Sequence, residues 1–93
     1  MERIPVDRVI SKLDELLSRN DYTAAKEHLL YWLSEAEKMQ DNRGALLLNN
    51  ELMGLSRKLG EQENALKFVS NALQLIDKMN IGNNVGAATT YLN

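Results

Sequence analysis

The sequence predicts an all-α protein of antiparallel helical hairpins stacked as a short solenoid, and three observations lead there. Residues 22 to 39 and 62 to 79 repeat one another at a spacing of forty: Tyr22/Gln62, Ala25/Ala65, Leu29/Val69, Trp32/Ala72, Leu33/Leu73, Ala36/Ile76, Lys38/Lys78 and Met39/Met79. Both members carry apolar or small residues in alternating steps of three and four, the period of a helix and not of a strand. No stretch alternates with period two over a strand's length, and one Pro and five Gly leave little punctuation for a sheet. Helical repeats of this length stack into shells that bind other proteins.

The first helix is expected to begin near Pro5, whose missing N–H is no loss in an opening turn, with Asp7 at its positive end. Val6, Val9, Leu13 and Leu16, flanked by Ile10 and Leu17, form its apolar stripe, which ends at Ser18-Arg19-Asn20-Asp21. Asn20 can close a helix in the left-handed conformation and Asp21 can cap the next. The second helix is expected over Tyr22 to Met39, with Tyr22, Ala25, Leu29, Trp32, Ala36 and Met39 along one seam and Leu33 beside it. Gln40-Asp41-Asn42-Arg43 breaks the pattern, and Asn42 is the expected cap of the third helix. That helix has its seam at Ala45, Leu48, Leu52, Leu55 and Leu59, and Gly60 stops it. The fourth, from Glu61 to Lys78, is expected to bury Ala65, Val69, Ala72, Leu73, Ile76 and Met79. Asn80-Ile81-Gly82-Asn83-Asn84 reads as a loop, and a fifth helix is expected from Val85. Short connections force consecutive helices to lie antiparallel.

At 93 residues the chain has room for one domain of four or five helices with a thin core. Eleven Lys and Arg against thirteen Asp and Glu give a net charge of −2, and no basic run is present to track a phosphate backbone, so nucleic acid is not an expected partner. There is no Cys, hence no disulfide, thiolate metal site or cysteine nucleophile. The longest apolar run, Ala45-Leu46-Leu47-Leu48, falls far short of the roughly twenty residues that span a bilayer, and Met1-Glu2-Arg3-Ile4-Pro5-Val6-Asp7 does not read as a signal peptide. The expected location is cytoplasmic, with no membrane partner.

Lys58-Leu59-Gly60-Glu61-Gln62-Glu63-Asn64-Ala65-Leu66, followed by Ala72-Leu73 and Leu75, resembles the tetratricopeptide repeat. In that family the turn inside each helical pair carries Gly then an acidic residue, and a small Ala follows five residues after the Gly, as Ala65 follows Gly60 here. Asn20-Asp21-Tyr22-Thr23-Ala24-Ala25 resembles the same turn with Asn in place of Gly, and Leu52 stands where the family has a large apolar residue. Gly or Asn tolerates positive φ at the turn, and small Ala lets paired helices come close. The resemblance covers residues 5 to 80. It implies a short right-handed solenoid within a single domain, 1–93: repeat one at 5–40, repeat two at 42–80, and the start of a third at 85–93. The period of forty, against the usual thirty-four, is similar to the long-repeat branch typified by kinesin light chains. Trp32 replaces a usual Ala and Met53 another small residue, so packing near Trp32 is expected to depart from the standard pair.

Material for chemistry is sparse. His28 is the sole histidine, and without Cys or a second His it lacks a ligand set; it reads as a surface or boundary residue. Ser11, Ser18, Ser34, Ser56 and Ser70 have no Gly-flanked elbow, and no glycine-rich phosphate loop is present. Glu35, Glu37 and Asp77 lie among Lys38 and Lys78 and read as a charge-balanced solvated face. Trp32 is expected in the core, and Tyr31, about 100° around the helix, as an exposed contact. No enzyme activity, metal or cofactor is expected.

The resemblance points instead to a groove lined by the first helix of each pair. It places Leu47, Asn50, Gly54, Arg57 and Lys58 on that wall, with Asp7, Ile10, Asp14 and Leu17 from the first helix. Spacing alone puts Asn50, Gly54 and Arg57 on one face. Asn and Arg can hold an extended peptide by its amides and a carboxylate, and Gly allows close approach. The opposing reading, solvated polar positions behind the Leu seam, stays open at this point. The basic clamp for a terminal carboxylate found in chaperone-binding members is not matched. The implied function is a non-enzymatic scaffold that binds a protein or peptide. The rivals are a helical bundle for self-association without a groove, and a helical appendage of an enzyme whose catalytic parts lie elsewhere. Gly86-Ala87 echoes Gly44-Ala45 at a spacing of forty-two, and no capping signal closes Thr89-Thr90-Tyr91-Leu92-Asn93. The chain is therefore expected to be the N-terminal part of a longer repeat protein, able to form a homo-oligomer through its C-terminal edge.

Overall fold

A computed structural model describes residues 3–79. It is all-α over that range: α1 (Val6–Ser18), α2 (Tyr22–Lys38), α3 (Asn42–Lys58) and α4 (Gln62–Met79). Consecutive helices pack as antiparallel neighbours, α3 against α4 most extensively. The expected fifth helix and third repeat, 85–93, lie outside the described residues.

All three turns are built the same way, at a spacing of twenty. Asn20, Gln40 and Gly60 hold positive φ at 59°, 57° and 76°. In each, the left-handed residue donates to a carbonyl three residues back and the next residue reaches five back: Asn20 to Leu17 and Asp21 to Leu16, Gln40 to Glu37 and Asp41 to Ala36, Gly60 to Arg57 and Glu61 to Ser56. This paired closure satisfies carbonyls that a helix end otherwise leaves open. The acidic residue then begins the next helix. Asp21 accepts from the Ala24 N–H at 3.3 Å and Asp41 from the Gly44 N–H at 3.0 Å.

Asp41, not Asn42, is therefore the cap of α3, and Asn42 is its first helical residue. Asp41 stands next to the left-handed residue, where the chain has already left α2 and its carboxylate can reach forward. It is also buried, and its second oxygen accepts from the Ile4 N–H at 2.9 Å. One carboxylate thus starts α3 and ties the N-terminal strand of chain to it. Pro5 lies just outside α1 as its N-cap residue.

The core runs along the expected seams in the first three helices, except that Leu59, which follows the last residue of α3, is 37% exposed. Val9, Leu13 and Leu16 of α1, Ala25, Leu29, Leu33 and Ala36 of α2, and Ala45, Leu48, Leu52 and Leu55 of α3 are buried, and Ile4 joins them. Tyr22, Trp32 and Met39 are half-buried against this core. Trp32 meets Tyr31 edge-on, ring centroids 5.2 Å apart.

α4 departs from expectation. It buries Ala65, Phe68 and Ala72, with Leu75 packed against the core, whereas Leu73 and Met79 are 47% and 37% exposed and Val69 and Ile76 only half-buried. Apolar residues occupy two stripes of this helix, and α3 takes the stripe holding Phe68, whose ring removes the most apolar surface from water.

Candidate functional site

α1 and α3 flank a cleft of about 210 Å³ whose floor is Leu29 of the intervening α2. Leu13 and Leu17 supply the α1 wall, and Asn50, Glu51, Gly54, Leu55 and Lys58 the α3 wall. The cause is helical spacing: Asn50, Gly54 and Lys58 are four apart and stand above one another on one face. Gly54 is exposed, and a Cβ built on it would meet nothing within 4 Å. Lys58 folds its ammonium over the Tyr22 ring, 4.9 Å from the centroid, so one end of the cleft carries a fixed positive charge. Tyr22 is itself held by a hydrogen bond from its hydroxyl to Asn20 Oδ1 at 3.0 Å.

Of the residues expected on this wall, the structure brings together Asn50, Gly54, Lys58 and Leu17. Arg57 faces a separate depression toward α4, shared with Gln62, Ala65, Leu66 and Val69. Leu47 and Ile10 are half-buried, Asp7 and Asp14 exposed, and none of these four lines the cleft. Leu13 and Glu51 are cleft residues that the sequence reading did not single out. Leu13 was assigned to the core seam, and it serves both. No known protein family, curated protein or solved structure matches this chain.

His28 has a structural partner: its Nε2 lies 2.9 Å from the Val9 carbonyl. A carbonyl only accepts, so Nε2 carries the proton and the ring links α2 to α1. Among the described residues no group of three or more His, Cys, Asp or Glu is placed to hold a metal ion, and no helix is long and apolar enough to cross a membrane.

Two further polar features, one long-range and one local, were not legible in the sequence. Lys26 on α2 donates to Glu61 at 2.7 Å, across thirty-five residues, and Glu61 also accepts from the Asn64 amide at 3.3 Å. The Lys26 hydrogen bond, with help from Asn64, holds the Glu61 carboxyl below its ordinary range. On the far side of α3, Asn49 is buried, with its amide donating to the Ala45 carbonyl at 2.8 Å and its Oδ1 bound to no donor among the described residues.

Proposed function

We propose that this chain is a non-enzymatic peptide-binding module of the tetratricopeptide type, a short right-handed solenoid that holds an extended segment of a partner protein between α1 and α3. The observation that carries the reading is Gly54. A glycine inside a helix costs roughly 0.5–1 kcal/mol relative to alanine, and here no neighbour requires it, since a Cβ would project into open space. Its use is to keep that space open beside Asn50 and Lys58. The carboxamide of Asn50 can pair with both the N–H and the C=O of a peptide group. Lys58 offers an ammonium to a carboxylate, and Leu13 and Leu17 give an apolar wall to a side chain.

Selection of peptides from a random library on the immobilised chain tests this, followed by chemical-shift mapping of the selected peptide. Peptides that perturb Asn50, Gly54 and Lys58, and lose binding to Gly54→Leu, support the module. It would be refuted if no selected peptide perturbed Asn50, Gly54 and Lys58, or if those that did bound Gly54→Leu as well as the parent.

A second reading, self-association, has its own observation. Leu66 is 69% exposed beside half-buried Val69, forming an apolar edge on α4. A second copy is the occupant this reading names. Solution mass decides it: a dimer dispersed by Leu66→Glu supports assembly, and a monomer across the accessible concentration range excludes it.

A further inference from the structure

The strongest unexplained feature outside the α1–α3 cleft is the orphaned oxygen of Asn49. Asn49 is 2% exposed, and its orientation is fixed, because the Ala45 carbonyl can only accept and the amide nitrogen must face it at 2.8 Å. Oδ1 is left as a buried acceptor without a donor among the described residues. Buried polar atoms are nearly always paired, so an unpaired one calls for an explanation. Asn49 also lines an open cleft of about 330 Å³ on the side of α3 away from the first cleft.

The walls of this second cleft are α2 and α4, which run parallel because each is antiparallel to α3 between them. The result is a trough. Ala45 of its floor and Ala36 at the foot of the α2 wall are small, so a main chain can pass closely, and carboxamides are offered by Asn42 at the start of α3 and by Asn71 and Gln74 on the α4 wall. None of those three side chains has a hydrogen-bond partner among the described residues. Each can donate and accept at once, as a peptide group does. Charge adds no preference for an ion: Glu37 stands on one wall and Lys78 on the other.

We propose that this trough is a second binding site, for the uncharged main chain of an extended peptide, with Asn49 Oδ1 accepting from a peptide N–H and Asn71 and Gln74 pairing with the adjoining amide groups. The site is independent of the α1–α3 cleft: it uses the opposite side of α3 and needs no terminal charge on its ligand.

The test is titration of the ¹⁵N-labelled full chain with acetyl-trialanine N-methylamide, with maltose in parallel, read at the side-chain amides of Asn49, Asn71 and Gln74. Saturable shifts with the peptide and none with maltose are expected. Asn49→Leu, or Asn71→Ala should the first variant fail to fold, is expected to weaken binding roughly tenfold, the loss of about one buried hydrogen bond. Gly54→Leu is expected to leave this binding unchanged, which separates it from the first cleft. Three results would overturn the proposal: equal affinity in the folded Asn49 or Asn71 variant, a saturable response to maltose, or no saturable response to the peptide.

Discussion

Gly44 and Gln40 show how single residues set the turn between α2 and α3. A Cβ on Gly44 would lie 2.5 Å from Asp41 Oδ2 and 2.9 Å from Ile4 Cγ1. That carboxylate cannot swing aside, because it already serves the N–H groups of Gly44 and Ile4. Gly44→Ala is therefore expected to cost about 1–3 kcal/mol through overpacking, measurable by urea denaturation; an unchanged midpoint would mean that the N-terminal strand does not dock on Asp41. Gln40 presents the opposite case. It holds φ of 57° where Gly60 holds 76° in the equivalent turn, and a side chain in that region is strained. Gln40→Gly is expected to raise stability by roughly 0.5 kcal/mol, the strain relieved less the entropy lost by glycine, seen as a higher Tm. A lower Tm would show that the Gln40 side chain contributes more than its backbone costs.

At the scale of helices, much of the fold was legible because the apolar spacing in α1, α2 and α3 has one interpretation. Their stripes are single, and the large buried apolar side chains fall on them, with Leu59 at the end of the third left 37% exposed; the burial of Asn49 and Ser56 beside the α3 stripe is not marked by spacing. α4 carries two stripes, and spacing cannot rank two faces of equal period; only the shape of α3 opposite selects Phe68 over Leu73. The third cap was misread for a related reason: Asn42 and Asp41 are both good caps, and the deciding fact is the left-handed Gln40 before them, a residue that does not announce that conformation. In the first cleft, Asn50 and Gly54 were legible from spacing and Lys58 from the family resemblance, whereas Arg57, which spacing puts on the same face, lines the depression toward α4, and Leu13 and Glu51 depend on how α1 and α3 face each other. Ala65, 4% exposed, occupies the interface that joins α4 to the rest, and Ala65→Leu is expected to destabilise by about 1–3 kcal/mol. An unaltered Tm would mean that α3 and α4 separate to admit it. Lys26 and Glu61 tie α2 to the turn before α4. The Glu61 carboxyl is held below its ordinary 4.5 by Lys26 and Asn64. Its stabilising contribution is therefore complete above that value and is lost as pH falls through the lower folded value. Thermal melts from neutral to acid pH should show the parent losing its advantage over Glu61→Gln below about pH 4.5. Parallel curves would show that the ion pair is not formed in solution.

For the molecule as far as it is described, residues 3–79, four helices in sequence leave a trough on each of two opposite sides of α3, one floored by Leu29 and one by Ala45 with Ala36 beside it. Each contains a residue that packing alone does not favour, the helical glycine Gly54 and the orphaned acceptor Asn49. On the proposed function, stability is given up at such places to keep a binding surface, as happens where function and folding compete. Gly54→Ala measures this most directly, since it adds one methyl group and removes nothing. A gain of about 0.5–1 kcal/mol in unfolding free energy, together with weaker binding of a peptide selected on the parent in the α1–α3 cleft, is expected. Unchanged or reduced stability with binding intact would contradict it.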